Sequence, residues 1–177
     1  MGFKNPGDLI VLLGETKNEM GGSEYLNLIE KKLGHQPPSI DLKHEKAVQQ
    51  TVLDAFGLGI LNSTHDCSEG GLAISIAESC ITGKLGADIQ LPVEPFAPVI
   101  QLFSESQSRI IVSLSESNFS KLESLAKKYH IPLTILGKVQ KDTLSIGIKE
   151  RGRGRRDGLI RQPIEELIDK YGSAINI

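Results

Sequence analysis

The sequence predicts an α+β domain built on a mixed sheet, and three observations carry that expectation. Strand-like and helix-like stretches are intermixed along the 177 residues. Asp8-Leu9-Ile10-Val11-Leu12-Leu13 contains a short continuous apolar run, typical of a strand covered on both faces. Two strand-like stretches late in the chain, 133–139 and 144–148, read as an antiparallel hairpin around Gln140-Lys141-Asp142. A purely doubly wound fold would not carry such a hairpin.

The elements follow in order. After the strand at 9–13, residues 14–22 form a polar, glycine-bearing loop. Ser23 caps a helix running to about residue 32, with Gly34 just past its end and Gln36-Pro37-Pro38 stopping it. Asp41 caps a second helix, on which Val48, Val52, Ala55 and Phe56 share a face; Gly57 and Gly59 end it. Residues 60–65 read as a strand. In the helix at 72–81, Leu72, Ala73, Ile76, Ala77, Cys80 and Ile81 cover most of the surface, so it is expected to be buried, and Gly83 ends it. Residues 87–91 form a strand. Pro92, Pro95 and Pro98 interrupt the next stretch before a short helix ending near Phe103, and 109–114 is another strand. The helix at 118–129 places Phe119, Leu122, Leu125, Ala126 and Tyr129 on one face. A final helix, 163–171, begins with Pro163 in its first turn. No internal repeat is present.

Composition sets the bounds. A hydrophobic fraction of 39% with 24% charged residues fits one soluble domain over 1–177, with a core at about 7–148 and an Arg-Gly loop, short strand and terminal helix over 149–177. The net charge of −2 gives no general pull toward nucleic acid or an anionic membrane. No apolar run is long enough to span a bilayer, and the first residues have no signal-peptide pattern. Cys67 and Cys80 make neither a disulfide framework nor a metal site, which points to a reducing, cytoplasmic setting. The chain reaches an interior strand within a few residues, as either an excised piece of a longer protein or a compact domain would.

The most informative segment is His65-Asp66-Cys67-Ser68-Glu69-Gly70-Gly71-Leu72-Ala73. It sets a carboxylate, a hydroxyl and a second carboxylate ahead of two glycines that open a buried helix. Such a start offers unpaired N–H groups and a positive dipole end for a phosphate, and a carboxylate for the Mg²⁺ that travels with it. In the alternative reading Ser68 only caps the helix and Gly70-Gly71 only makes a turn. A Ser68–His65–Asp66 triad is disfavoured because adjacent strand residues point to opposite faces. Gly21-Gly22-Ser23-Glu24 is a second glycine pair before a helix, either another anion site or a capped turn. Glu105-Ser106-Gln107-Ser108-Arg109 is either a site for a polar small molecule or a loop whose Arg109 pairs with a surface carboxylate. Arg151-Gly152-Arg153-Gly154-Arg155-Arg156 invites an RNA- or phosphate-binding reading. It has no aromatic neighbour to stack on a base, and a solvated turn between two late strands is the simpler account.

Four segments occur in a telling order: Gly7-Asp8-Leu9-Ile10-Val11-Leu12-Leu13-Gly14-Glu15-Thr16, Gly21-Gly22-Ser23-Glu24-Tyr25-Leu26, the segment at 65–73, and Phe103-Ser104-Glu105-Ser106-Gln107-Ser108-Arg109. Together, over residues 7 to about 148, they closely resemble the C-terminal part of phosphoribosylformylglycinamidine synthase. The Gly21–Leu26 segment favours this enzyme over its relatives aminoimidazole ribonucleotide synthetase, selenophosphate synthetase, thiamine-phosphate kinase and a hydrogenase maturation protein. The resemblance implies a three-layer α/β/α domain with a mixed sheet, like the C-terminal domain of aminoimidazole ribonucleotide synthetase.

The resemblance also implies a reaction. Formylglycinamide ribonucleotide, glutamine, ATP and water give formylglycinamidine ribonucleotide, glutamate, ADP and phosphate, in purine biosynthesis. The enzyme has two tandem copies of an ATP-binding half and a C-terminal half, and this chain resembles the last C-terminal half. Its implied partners are the ATP-binding half, a glutaminase subunit and a small bridging subunit. Asp66 is implied as a Mg²⁺ ligand of an auxiliary ATP/ADP site, with Ser68, Gly70 and Gly71 contacting the nucleotide. Glu105, Ser106 and Gln107 match a triplet that binds substrate in the first copy. No catalytic residue is implied in this chain, since the catalytic histidine belongs to the ATP-binding half. The chain is therefore expected to be inert alone and to self-associate through a former interface. The alternative is a non-catalytic nucleotide-binding or assembly module of the same fold. Two departures stand out: the tail at 151–156 does not match, and Glu69 stands where Asp is common.

Overall fold

The computed structural model describes residues 1–32, 34, 36–93, 95–148 and 156–175. Its organisation follows from one strand. All five residues of β1 (Leu9–Leu13) are buried. Because strand side chains alternate, Leu9, Val11 and Leu13 serve one core while Ile10 and Leu12 serve another. A strand apolar on both faces needs cover on both and partners at both edges. β1 accordingly lies inside the sheet, antiparallel to β4 (Ile110–Leu114) on one side and to β5 (Leu133–Gln140) on the other.

β2 (Ser63–Asp66), β3 (Gly86–Leu91), β6 (Thr143–Ile148) and β7 (Arg156–Pro163) complete seven strands among the described residues. Their order is β2-β4-β1-β5-β3-β6-β7, and β3 with β6 is its parallel pair. On one face α1 (Leu42–Gly57) and α4 (Phe119–Tyr129) bring Val48, Ala55, Leu122 and Ala126 onto Leu9, Val11, Leu13, Val112 and Leu114. On the other, α2 (Gly71–Gly83), α3 (Pro98–Phe103) and α5 (Ile164–Ile175) bring Leu72, Ile76, Cys80, Leu102 and Ile164 onto Ile10, Leu12, Ile89 and Ile146. This is the three-layer α/β/α arrangement with a mixed sheet. No helix among the described residues is long and apolar enough to cross a membrane.

Several local expectations need correction. The hairpin at 133–148 does not form, because β3 lies between β5 and β6. Gln140-Lys141-Asp142 lacks the glycine or asparagine that a tight hairpin turn uses at positive φ. The chain instead steps across the start of β3, where the Gly86 N–H donates to the Lys141 carbonyl at 3.1 Å. A Cβ on Gly86 would lie 2.2 Å from the Thr143 carbonyl oxygen, so the crossing depends on glycine there.

The helix after Ser23 is shorter than its pattern. Leu26–Glu30 takes a wider π-helical pitch, and Lys31 at φ 53° ends it. Leu28 and Ile29 are exposed, so no apolar face holds a longer helix. On α1, Asp41 caps as expected, accepting from the Lys43 and His44 N–H groups. Phe56, however, is 73% exposed, and Thr51 takes the buried place with its hydroxyl donating to the Ala47 carbonyl. The strand expected from residue 60 begins at Ser63. Pro163 is the last residue of β7, paired with Thr143, and the final helix follows it. Of the tract at 151–156 only the backbone of Arg156, which opens β7, lies within the described residues.

Candidate functional site

β2 runs along the edge of the sheet and delivers Asp66 to its end, from which the chain turns into α2. The Asp66 carboxylate is 71% exposed and accepts a hydrogen bond from the Ser68 hydroxyl. That hydroxyl holds the Asp66 carboxyl below the usual carboxylate range. Partial burial opposes the shift, and the residue's own N–H and the His65 ring add to it. Ser68 is therefore not the helix cap; Gly70, at φ 75°, stands in that place.

His65, Asp66 and Ser68 do come together, but in an order that excludes a triad. The His65 Nδ1 lies 3.6 Å from Asp66, and its Nε2 is 2.8 Å from the Glu78 carboxylate. The aspartate thus sits between serine and histidine, whereas a relay needs the imidazole in the middle. Glu78 was not anticipated. Its signal in the sequence is that it is the lone carboxylate in Gly71–Gly83.

The segment at 104–109 is a knot rather than an open loop. Arg109 is 2% exposed, so the surface ion pair is not formed. Its Nε donates to the Ser106 carbonyl (2.9 Å), Nη2 to the Ser104 carbonyl (2.5 Å) and Nη1 to the Thr16 hydroxyl (3.0 Å). Burial pushes its pKa down, and the charges of Cys67, Glu19 and Glu105 pull the other way. Ser104 and Ser106 are fully buried. The Ser104 hydroxyl donates to the Lys17 carbonyl (2.8 Å), and the Ser106 hydroxyl accepts from the Lys17 N–H (3.0 Å).

The Glu105 Oε1 accepts from the Gly70 N–H (2.8 Å) and the Glu24 N–H (2.9 Å). The Gly71 N–H donates to the Ser68 carbonyl at 3.0 Å. Gln107 is exposed, with its amide on the Glu105 carbonyl. Thr16, Lys17 and Ser104, to which sequence reasoning gave no role, are the residues that tie the knot. The glycines have an internal reason too: a Cβ on Gly71 would lie 2.5 Å from the Ser104 carbonyl oxygen.

All four sequence segments therefore meet at one place. Asp66, Ser68, Glu69, Glu105 and Gln107 line a cleft of about 660 Å³ together with Glu45 and Gln49 of α1. A second cleft of about 600 Å³ near Lys138, Lys141 and Arg161 holds none of these residues. Among the described residues no group of three or more His, Cys, Asp or Glu side chains is placed to hold a metal. Among those residues an all-protein metal cage is thus not formed. An exposed, ionised Asp66 instead suits Mg²⁺, which binds through one or two carboxylates together with phosphate oxygens and water. Cys67 and Cys80 are buried and unpaired, and burial pushes their thiols up to about 11 and about 12.

A family model described as AIR synthase related protein, C-terminal domain, matches residues 5–149. The phosphoribosylformylglycinamidine synthase subunit PurL of Moorella thermoacetica is 39% identical over 151 residues, covering 85% of this chain and 20% of that protein. The same subunit of Caldanaerobacter subterraneus subsp. tengcongensis is 39% identical over 175 residues, covering 99% of this chain and 23% of that protein. The chain thus spans a quarter or less of the length of these relatives. The structure of Thermotoga maritima PurL complexed with FGAR superposes with a TM-score of 0.80 at 22% identity, over 94% of this chain and 29% of that one. The E. coli hydrogenase maturation protein HypE superposes with a TM-score of 0.58 at 14% identity, over 87% and 49%. At these identities the structures show the fold alone. With the three-layer mixed sheet and the match over residues 5–149, the chain belongs to the AIR synthase related protein family as its C-terminal domain.

Proposed function

We propose that this chain is the C-terminal domain of the second repeat of a phosphoribosylformylglycinamidine synthase, working in the cytoplasm. The enzyme is the ATP- and glutamine-dependent ligase that makes formylglycinamidine ribonucleotide. The reading is supported by the identity to PurL subunits over nearly the whole chain. The chain's own contribution is an auxiliary Mg²⁺–nucleotide site at Asp66 and Ser68. The observation that carries this site is the exposed Asp66 carboxylate, held ionised by the Ser68 hydroxyl in the lining of the cleft.

Each residue has a task in this reading. Asp66 supplies the oxygen ligand, and the Ser68 hydroxyl, which donates its one hydrogen to Asp66 in the free chain, redirects it to a phosphate oxygen when the carboxylate turns to the metal. Gly70 and Gly71 form the turn that presents Ser68, their N–H groups being engaged by Glu105 and by Ser68 itself. Bound Mg²⁺ offsets phosphate charge. The ATP-binding half, the glutaminase and the bridging subunit supply the remaining chemistry. The isolated chain is accordingly expected to show neither amidine formation nor ATP turnover, and either activity in the purified chain would overturn that.

The test of the site is calorimetric titration of ADP with Mg²⁺ into the chain and into Asp66→Asn. Binding that weakens about tenfold or more in the variant, a loss of about 1.4 kcal/mol or more, is expected. Equal binding by the two proteins would remove Asp66 from the site.

The domain reading also accounts for two exposed apolar side chains near the end of α1. Leu53 and Phe56, one turn apart, are 62% and 73% exposed. Exposed apolar neighbours of this kind suit a contact surface, and the relatives are several times longer than this chain. The chain alone is expected to self-associate in sedimentation velocity, and paired Leu53→Lys and Phe56→Lys changes are expected to shift it to monomer. A wild-type chain that stays monomeric at high concentration would contradict this.

A further inference from the structure

We propose that Glu105 is a positioning residue, whose carboxylate is a built-in anion that pins the two glycine loops together and so sets where Asp66 and Ser68 stand. Its functional consequence rests on the nucleotide-site reading above; the pin itself does not. The key geometry is one oxygen shared by two loops. The Glu105 Oε1 receives the N–H of Gly70, at the start of α2, and the N–H of Glu24, just before the helical turn Leu26–Glu30. The Gly70 N–H stands at the start of α2, where N–H groups lack partners within the helix and favour negative charge, and the Glu24 N–H is a second backbone donor.

The carboxylate is delivered by a rigid platform. Its neighbours Ser104 and Ser106 are fully buried and bonded to Lys17, and Arg109 grips both of their carbonyls. Gly71 packs directly on the Ser104 carbonyl, and its N–H reaches back to Ser68. Any shift of Glu105 therefore passes to Gly70 and Gly71, and through them to the Ser68 hydroxyl and its bond to Asp66.

Charge favours the same role. An unpaired carboxylate facing a phosphate is repulsive, whereas one held by two backbone N–H donors has its charge partly offset. The triplet at 105–107 thus divides its work: Glu105 pins, Ser106 is sealed inside, and Gln107 stays exposed.

The test uses the full chain and reads the pin directly, by amide hydrogen exchange at Gly70 and Glu24 in NMR spectra. In Glu105→Ala both amides are expected to lose protection together, by about tenfold. In Glu105→Gln, which keeps an acceptor oxygen, the loss should be smaller. Acetate should restore both amides in Glu105→Ala, and chloride at equal ionic strength should not. Unchanged exchange, a change at only one amide, or equal rescue by the two salts would overturn the pin. If Glu105→Ala does not fold, Glu105→Asp takes its place, being too short to serve both donors; protection kept at both amides there would overturn the proposal.

Titration of ADP with Mg²⁺ is the second readout. Affinity should fall about tenfold in Glu105→Ala and return with acetate. If the exchange results hold and no form binds nucleotide, the pin stands and the nucleotide reading fails. If nucleotide binds equally to wild type and Glu105→Ala, the positioning role fails.

Discussion

Replacing Gly71 with alanine is expected to destabilise the chain by about 3 kcal/mol, while the same change at Gly22 should cost about 1 kcal/mol. Both glycines have left-handed backbone, at φ 66° and 74°. An L side chain is strained in that region by roughly 1–2 kcal/mol wherever it sits. Crowding separates the two positions. At Gly22 no atom lies within 4 Å of the added Cβ, but at Gly71 it would meet the Ser104 carbonyl oxygen at 2.5 Å and that of Leu102 at 2.9 Å. Both are backbone atoms, one in the segment that Arg109 holds and the other in α3, so they cannot swing aside as the end of a flexible side chain would. Overpacking of this kind adds roughly 1–3 kcal/mol, a large share of a typical domain's 5–15 kcal/mol. Urea unfolding of the two variants measures the difference; equal losses would mean that crowding at Gly71 is relieved at little cost.

That contrast also shows where the sequence stops being legible. β1 could be read residue by residue, because an apolar run on both faces has few other uses. Asp41 could be read as a cap because its partners are the next N–H groups along the chain. Both are local facts. The insertion of β3 between β5 and β6 is not local, and nearness in sequence favours the hairpin instead. Two glycines inside strands carried the clue: added Cβ atoms at Gly86 and Gly137 would fall 2.2 Å and 1.8 Å from carbonyl oxygens of Thr143 and Asp88. Glycine within a strand marks a close backbone approach.

The site divides in the same way. Asp66, Ser68 and the glycines were visible as chemistry-bearing residues. Their partners were not, because Glu105 bonds to backbone N–H groups and Arg109 mostly to backbone carbonyls, and a sequence displays side chains rather than the N–H and C=O groups they will find. Gly70-Gly71 was open to reading as room for a ligand's approach. At Gly71 that room is filled by the carbonyls of Leu102 and Ser104.

Arg109→Met tests whether the buried guanidinium supports this whole arrangement, and a loss of about 3–5 kcal/mol is expected. Two effects compete. Removing a buried charge relieves a desolvation cost, and apolar replacement of buried ions is often neutral or stabilising when the partners leave as well. Here the partners stay. Among the described residues no carboxylate lies within ion-pair distance of Arg109; its bonds go to the Ser104 and Ser106 carbonyls and the Thr16 hydroxyl. Methionine keeps much of the stem's packing but leaves those three groups without its donors, at about 1–3 kcal/mol each where they stay buried. Three such losses outweigh the relief. Lysine should rescue only part of the stability, since a single ammonium lacks the planar fork that reaches three directions at once. The same variants should loosen Glu105, whose backbone lies between the two gripped carbonyls, so amide exchange at Gly70 and Glu24 should rise along with the fall in urea midpoint. A methionine variant as stable as wild type would mean that water replaces the guanidinium and that the 104–109 segment holds its shape without it.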